Sequence, residues 1–109
     1  MSSLFSALIE KAQYIGVHET ANSIDVLEIA KELAQHPDAR ANFAEIIALI
    51  EDPENYYTRW AAIRAINLMG PAAVLRAASL LRERLVKEDF DLAKRELNNA
   101  LAKIDQFAT

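Results

Sequence analysis

The sequence predicts a single all-α domain of about six helices that pack in antiparallel pairs. In six successive segments, apolar residues recur at the i, i+3, i+4, i+7 spacing of one helix face, and the short joints favour antiparallel neighbours. Two glycines and three prolines are too few for the many turns of an all-β fold. A length of 109 residues is that of one domain, and 52% hydrophobic residues are enough for its core.

Three amphipathic helices are expected in the first half of the chain. The first covers residues 3–15 and is followed by Gly16, which suits a left-handed C-cap. The second begins at Ser23, a favoured N-cap residue, and continues to about Gln35. The third covers residues 38–51, and its first residue, an aspartate, is the expected N-cap.

A fourth helix, from Glu54 to Met69, differs because apolar residues lie on almost every side of it. Asp52 is its expected N-cap, and Pro53 suits the first helical turn. A helix that is apolar on every side is one that its neighbours enclose. We therefore expect this helix at the centre of the fold.

Gly70 and Pro71 are the clearest boundary in the sequence, because a C-cap glycine is followed by a proline that can open a helix. The fifth helix is expected from this proline to residue 86. A polar joint of three charged residues, 87–89, precedes the last helix, which is expected over residues 89–107.

The helices repeat with a period of about 35 residues. A shift by that period places Ala65 on Ala100 in one direction and on Ala30 in the other, and it places Ala62 on Leu97. Such a period with two helices per unit is typical of a helical solenoid, in which stacked units form a shared core.

The best segment of this repeat resembles a known family. Residues 58–70 read TRWAAIRAINLMG and are followed by Pro71, Val74 and Leu81 on a second helix. An arginine, small residues, an alanine before a large aliphatic residue and a glycine resemble the pattern of HEAT-like (armadillo/HEAT-type) helical repeats. The tetratricopeptide pattern has a similar period, but its Trp, Gly and Tyr spacing is missing.

The resemblance implies a short right-handed helical-hairpin solenoid. Residues 54–86 would form the best repeat and residues 23–51 a degenerate one, between capping helices at residues 3–15 and 89–107. The arginine and glycine that the pattern requires are missing from residues 23–51 and 89–107. A non-repetitive helical bundle is the alternative architecture.

The sequence contains no recognisable catalytic or metal-binding motif. The absence of cysteine excludes disulfides, thiolate zinc sites and cysteine nucleophiles. The two histidines, His18 and His36, lie in no known ligand spacing, and GxSxG, P-loop and GxGxxG motifs are absent. We therefore expect no enzymatic activity, metal or cofactor, and an enzyme or metal protein would have to use one of these histidines.

Binding residues are expected at the start of the fourth helix. Tyr56, Tyr57 and Trp60 fall within five consecutive positions, and Tyr and Trp are favoured anchors of protein interfaces. Arg64 is a polar residue on the same, otherwise enclosed helix. These four residues indicate a non-enzymatic protein–protein interaction module, although each also suits the core.

The charges suggest a second class of function. Residues 1–55 contain ten Asp/Glu against three Lys/Arg, whereas residues 56–109 contain nine Lys/Arg against six Asp/Glu. A basic patch formed by Arg76, Arg82, Arg84 and Lys94 would suit a nucleic-acid-binding helical domain, which is the alternative function. Acidic residues are interleaved with these cations, several at the i,i+4 spacing of local ion pairs, so we expect a protein partner and no nucleic acid.

We expect a cytoplasmic protein without membrane contact. No apolar run approaches the roughly 20 residues that span a bilayer, and the first five residues lack the basic start of a secretory signal. A solenoid this short exposes its ends unless capping helices cover them. Should either cap fail, a homodimer is expected.

Overall fold

The computed structural model describes residues 3–17 and 20–108, and within them the chain forms helices and no strand. The helices are α1 (Ser3–Gln13), α2 (Ser23–Gln35), α3 (Phe43–Ile50), α4 (Tyr56–Met69), α5 (Pro71–Arg76), α6 (Ala78–Lys87) and α7 (Asp91–Ala108). The predicted all-α class is therefore confirmed. The described residues form seven helices, where about six were predicted, because the predicted fifth helix is divided into α5 and α6.

Helix α4 forms the centre of the core. It packs against α1, α2, α3, α5 and α7, and most extensively against α2. Ala61, Ala62, Ile63, Ala65 and Ile66 are all fully buried. Complete burial of a large aliphatic side chain such as isoleucine contributes about 1.5–3 kcal/mol, so this helix supplies much of the stabilisation. The prediction of a central helix is confirmed.

Helix α2 begins with a capping box one residue before the predicted cap. The side-chain oxygen of Asn22 accepts the backbone N–H of Asp25 at 3.1 Å, and the Asp25 carboxylate accepts the backbone N–H of Asn22 at 2.9 Å. This reciprocal pair satisfies two N–H groups that the first turn leaves free. Ser23 is therefore the first helical residue rather than the N-cap.

Helix α3 is shorter than predicted, because residues 37–42 form turns. Asp38 does not cap a helix here: its backbone N–H donates to His36 Nδ1 at 3.0 Å, and its carbonyl accepts the side-chain amide of Asn42 at 3.1 Å. These local bonds compete with a helical first turn. The helix starts only after Asn42, whose side chain forms no cap bond.

Helix α4 is capped by Asn55 and not by Asp52. Asp52 Oδ1 instead accepts the backbone N–H groups of Glu54 and Asn55, at 3.0 and 2.8 Å, and closes a turn around Pro53. Asn55 Oδ1 accepts the N–H groups of the second and third helical residues. Its amide also donates to the Ile15 carbonyl at 3.0 Å, which ties the start of α4 to the end of α1.

The predicted helix from Pro71 to residue 86 is interrupted at Ala77, which separates α5 from α6. Ala77 has φ −98° and ψ 3°, and its N–H is shared between the carbonyls of Ala73 and Val74 at 3.1 Å each. No glycine or proline marks this position. The interruption allows α5 to pack on both α4 and α7 while α6 packs on α7.

The two glycines occupy positions that require a positive φ. Gly16 (φ 74°) ends the segment after α1, and Gly70 (φ 102°) separates α4 from α5, as the sequence indicates. A Cβ atom at Gly16 would lie 3.3 Å from the Tyr57 ring, so this glycine also allows α4 to approach α1 closely.

Candidate functional site

The predicted aromatic residues form one cluster, completed by Phe90 from the joint before α7. The Phe90 ring centroid lies 4.5 Å from that of Tyr56, 6.1 Å from that of Tyr57 and 5.9 Å from that of Trp60. Aromatic rings at these distances attract one another in tilted and edge-on arrangements. Tyr56 is 43% exposed, whereas Trp60 is 5% exposed, so the cluster presents tyrosine at the surface above a buried tryptophan.

The two tyrosines influence each other. Their ring centroids are 4.6 Å apart. The negative charge that Tyr56 would carry when ionised raises the pKa of Tyr57, and partial burial and a hydrogen bond with Tyr56 act in the same direction. The Tyr57 phenol is therefore a neutral hydrogen-bonding group at pH 7, which suits surface recognition.

A buried ion pair lies at the base of the aromatic cluster. Arg59 Nε and Nη2 donate to the two carboxylate oxygens of Glu88 at 3.0 Å each, and Nη1 donates to the Asp52 carbonyl at 2.9 Å. Glu88 Oε2 also accepts the backbone N–H of Phe90 at 3.2 Å. The ion pair therefore connects α4 to the joint before α7 and positions the Phe90 ring.

Burial acts to raise the pKa of Glu88, but the surrounding donors and charges outweigh it. Hydrogen bonds from Arg59 and from the Phe90 N–H, together with the charges of Arg59 and Arg84, hold this pKa below its ordinary value. Glu88 therefore remains ionised at neutral pH although its side chain is fully buried. Within the predicted polar joint of residues 87–89, Glu88 is therefore a buried, charged residue.

The residues of the predicted basic patch have different surroundings. Arg84 is directed inward, with its Nε 3.2 Å from Glu88 Oε1. Arg76 lies over the Phe43 ring, 4.8 Å from its centroid. Arg82 is exposed on α6, and Lys94 is half-buried on α7. Arg84 is thus neutralised by the core ion pair, which leaves fewer cations for a nucleic-acid backbone.

Arg64 belongs to a polar network between α4 and α7. Its Nη1 donates to Glu96 Oε1 at 3.3 Å, and the Asn67 amide donates to Glu96 Oε2 at 2.9 Å. Lys103 Nζ donates to the side-chain oxygen of Asn67 at 3.2 Å. Glu96 and Asn67 are buried, so these bonds satisfy polar groups that would otherwise be costly to remove from water.

Arg64 also borders a surface groove between α2 and α4, which we name the α2–α4 groove. Its volume is about 300 Å³. The lining residues are Leu27, Lys31, Ala34, Gln35, Arg64 and Leu68. Tyr56, Trp60, Arg64 and Leu68 follow one another at intervals of four, so this row winds slowly around α4 from the aromatic cluster to the groove. Of the four predicted binding residues, Tyr56, Tyr57 and Trp60 lie in the aromatic cluster and Arg64 lies at the groove.

The histidines do not form a metal site in the described residues. His36 Nδ1 accepts the Asp38 backbone N–H, and its ring lies 5.0 Å from that of Phe5. His18 lies outside the described residues. Across residues 3–17 and 20–108, no three His, Asp or Glu side chains come together as metal ligands would.

Comparisons with other proteins add no assignment. No protein-family model, curated protein or solved structure matches this chain. Among the helices described above, none combines the length and the apolar character needed to cross a lipid bilayer. The chemistry of the described surfaces is therefore the basis for a functional proposal.

Phe90 and Glu88 are the site residues that the sequence analysis missed. Both lie about 30 residues from their partners on α4, so local periodicity does not connect them. The one available signal is the position of Phe90 immediately after three charged residues, 87–89. An aromatic residue at a polar joint needs a packing partner, and the Tyr56–Trp60 segment provides it.

Proposed function

We propose that this chain is a non-enzymatic protein–protein interaction module that uses no cofactor. The observation that carries the proposal is that the exposed Tyr56 of the aromatic cluster and the groove residues Arg64 and Leu68 all come from α4, so one helix supplies both candidate contact surfaces. Exposed tyrosine, exposed leucine and a half-buried arginine offer the apolar and hydrogen-bonding contacts from which protein interfaces are built, and Tyr and Arg are enriched among their strongest contributors.

Recognition would depend on apolar contact in the groove and polar contact at its borders. Leu68 is 46% exposed, and Leu27 on the facing helix is partly exposed. A partner side chain inserted between them would gain roughly 25 cal/mol for each Å² of apolar surface removed from water. Lys31 and the tyrosine hydroxyls would then orient the partner through hydrogen bonds.

The proposed scaffold is a short HEAT-like helical solenoid. Helices α2, α4 and α7 begin about 35 residues apart, and α4 packs against both of the others. Ala30, Ala65 and Ala100, which the repeat superposes, are all fully buried. Small residues at equivalent positions support close packing of the repeated helices. Helix α3 departs from a regular hairpin repeat, because it packs on α4 and α1 more than on α2, the helix with which it would form a hairpin.

A matched pair of variants tests the proposed function. Leu68 and Leu75 are equally exposed, at 46%, but only Leu68 lines the α2–α4 groove. We expect a partner captured from an extract of the source cells by the wild-type chain, and confirmed by titration of the purified partner, to be lost with Leu68→Glu and retained with Leu75→Glu. Equal binding by both variants, or turnover of a metabolite by the purified chain, would contradict the proposal.

Nucleic-acid binding through Arg76, Arg82, Arg84 and Lys94 is the weaker candidate. The side chain of Arg84 is held against the buried Glu88, and Lys94 is half-buried on α7. Phosphate recognition that is strong at physiological salt requires several cations to neutralise several phosphates together. We therefore propose a protein partner, and we retain a homodimer and a cytoplasmic location as parts of the same proposal.

A further inference from the structure

A second groove lies between α3 and the α5–α6 segment, and we name it the α3–α6 groove. It consists of two adjoining cavities of about 190 and 340 Å³ that share Phe43 and Arg76. Ile47 of α3 and Leu80 of α6 both line the larger cavity, and Met69 and Arg40 line the smaller one. It shares no lining residue with the α2–α4 groove, so the inference does not depend on the proposed function.

Arg76 is held in this groove by neutral groups. Its guanidinium carbon lies 4.8 Å from the Phe43 ring centroid, and its Nη1 donates to the Arg40 carbonyl at 3.4 Å. Within the described residues, neither Arg76 nor Arg40 forms an ion pair with a carboxylate. Cation–π contact fixes the guanidinium but leaves its positive charge uncompensated.

The lining of the α3–α6 groove is otherwise almost wholly apolar. Apart from Arg40, Arg76 and Ser79, its side chains are hydrocarbon, aromatic or thioether groups, and none is acidic. An apolar channel with an uncompensated arginine is complementary to a surface that is apolar and carries a carboxylate. Nucleic acid fits less well, because phosphates and sugars gain little from the hydrocarbon walls.

We propose that the α3–α6 groove binds an acidic amphipathic helix of a protein partner. Apolar residues of that helix, at i, i+3 or i+4 spacing, would pack between Ile47 and Leu80, as helices do in hydrophobic grooves. A glutamate or aspartate of the same helix would accept a bidentate hydrogen bond from Arg76, whose planar guanidinium matches a carboxylate. Phe43 holds the guanidinium in place before the partner arrives.

The probe is a library of random 16-residue peptides displayed on phage and selected on the immobilised full-length chain. We expect the selected peptides to share an acidic residue flanked by apolar residues at helical spacing. For a synthetic copy of the best peptide, Arg76→Gln should weaken binding by about tenfold or more, as the loss of a charge-assisted hydrogen bond does. Arg76→Lys should weaken it less, because the positive charge remains.

Two control variants separate this groove from other surfaces. Arg82 is exposed on α6 outside the groove, so Arg82→Gln makes the same charge change and should leave the peptide affinity unchanged. Leu68→Glu, which tests the α2–α4 groove, should also leave it unchanged. Thermal unfolding of each variant verifies that the fold is retained, and amide chemical shifts should change at α3, α5 and α6 when the peptide binds.

Several results would overturn the proposal. The proposal is wrong if the phage selection enriches no peptide, or if the enriched peptides lack an acidic residue. It is also wrong if wild type and Arg76→Gln bind the synthetic peptide equally. A wild-type dimer in light scattering that Arg76→Gln converts to a monomer would assign the groove to a second copy of this chain. Binding of a 20-nucleotide single strand that requires Arg76 and falls steeply with salt would assign it to nucleic acid.

Discussion

Replacement of Glu88 by glutamine should destabilise the chain far more than its position in a polar joint suggests. The side chain of Arg59 is 5% exposed, and its main countercharge is the fully buried Glu88 carboxylate. Removing one partner of a buried pair typically costs about 3–5 kcal/mol, because the other charge is left uncompensated. The amide oxygen of the introduced glutamine and the Asp52 carbonyl would still accept hydrogen bonds, so we expect a loss of about 3 kcal/mol, the lower end of that range.

The expected change in melting temperature follows from the size of the chain. For 109 residues the unfolding entropy is roughly 0.23 kcal/mol/K, so a loss of about 3 kcal/mol lowers Tm by roughly 13 °C. Urea unfolding gives the free-energy change directly, and circular dichroism follows the whole chain. The single tryptophan, Trp60, contacts Phe90 and reports the same region by fluorescence.

The neighbouring residue provides the control. Asp89 lies 3.6 Å from Arg59 Nη2 but is 91% exposed, so Asp89→Asn removes an equal charge and should cost less than about 1 kcal/mol. The double replacement Arg59→Met with Glu88→Leu should recover part of the loss, because it leaves no unpaired charge at position 59. If Glu88→Gln and Asp89→Asn lower the unfolding free energy equally within error, the conclusion that Glu88 is the main buried countercharge of Arg59 is wrong.

Three further predictions concern the pair's pH dependence, the central helix and the α1–α4 contact. The folded-state pKa of Glu88 is below its ordinary value of 4.5, so the stabilisation that its carboxylate gives should be complete above about pH 4.5. This stabilisation should disappear as the pH falls through the folded-state pKa. The unfolding free energies of wild type and Glu88→Gln, measured in urea, should therefore converge in acid and differ at neutral pH. Ala65→Leu should lower the unfolding free energy by about 1–3 kcal/mol, because it overfills the fully buried face of α4. The control, Ala102→Leu on the exposed face of α7, should change the unfolding free energy little. Equal effects of the two variants would refute the central placement of α4. Gly16→Ala should lower stability by about 1 kcal/mol or more, because alanine is strained at φ 74° and its methyl group approaches Tyr57, and an unchanged urea midpoint would count against this backbone conformation.

The sequence predicted the helices and the central position of α4 because both follow from local periodicity. The apolar residues around α4 require neighbours on every side, whatever those neighbours are. Helix ends were predicted less well, since Asn22 and Ser23, or Asp52 and Asn55, are nearby polar residues that can each serve as a cap. The choice depends on tertiary contacts, such as the bond from Asn55 to the Ile15 carbonyl.

The candidate site was only half predictable for a similar reason. Tyr56, Tyr57 and Trp60 are close in the sequence and were identified together, but their partner Phe90 comes from another helix joint. Glu88 has the sequence surroundings of a solvated residue, and only the approach of Arg59 compensates for its burial. The interruption at Ala77 has no local signal, because it accompanies a tertiary arrangement in which α5 packs on both α4 and α7 while α6 packs on α7.

The buried ion pair connects the stability of the chain to the shape of its candidate binding surface. Glu88 Oε2 accepts hydrogen bonds from both the Phe90 backbone N–H and Arg59 Nη2. The same carboxylate therefore positions the joint before α7 and the Phe90 ring, and this ring contacts the exposed Tyr56. A surface residue held in this way loses little conformational freedom when a partner binds, which lowers the entropic cost of association. Glu88→Gln should therefore weaken partner binding through Tyr56 even where the chain is fully folded, whereas Asp89→Asn should not. If the folded Glu88→Gln variant binds the partner with wild-type affinity, Glu88 does not position the binding surface.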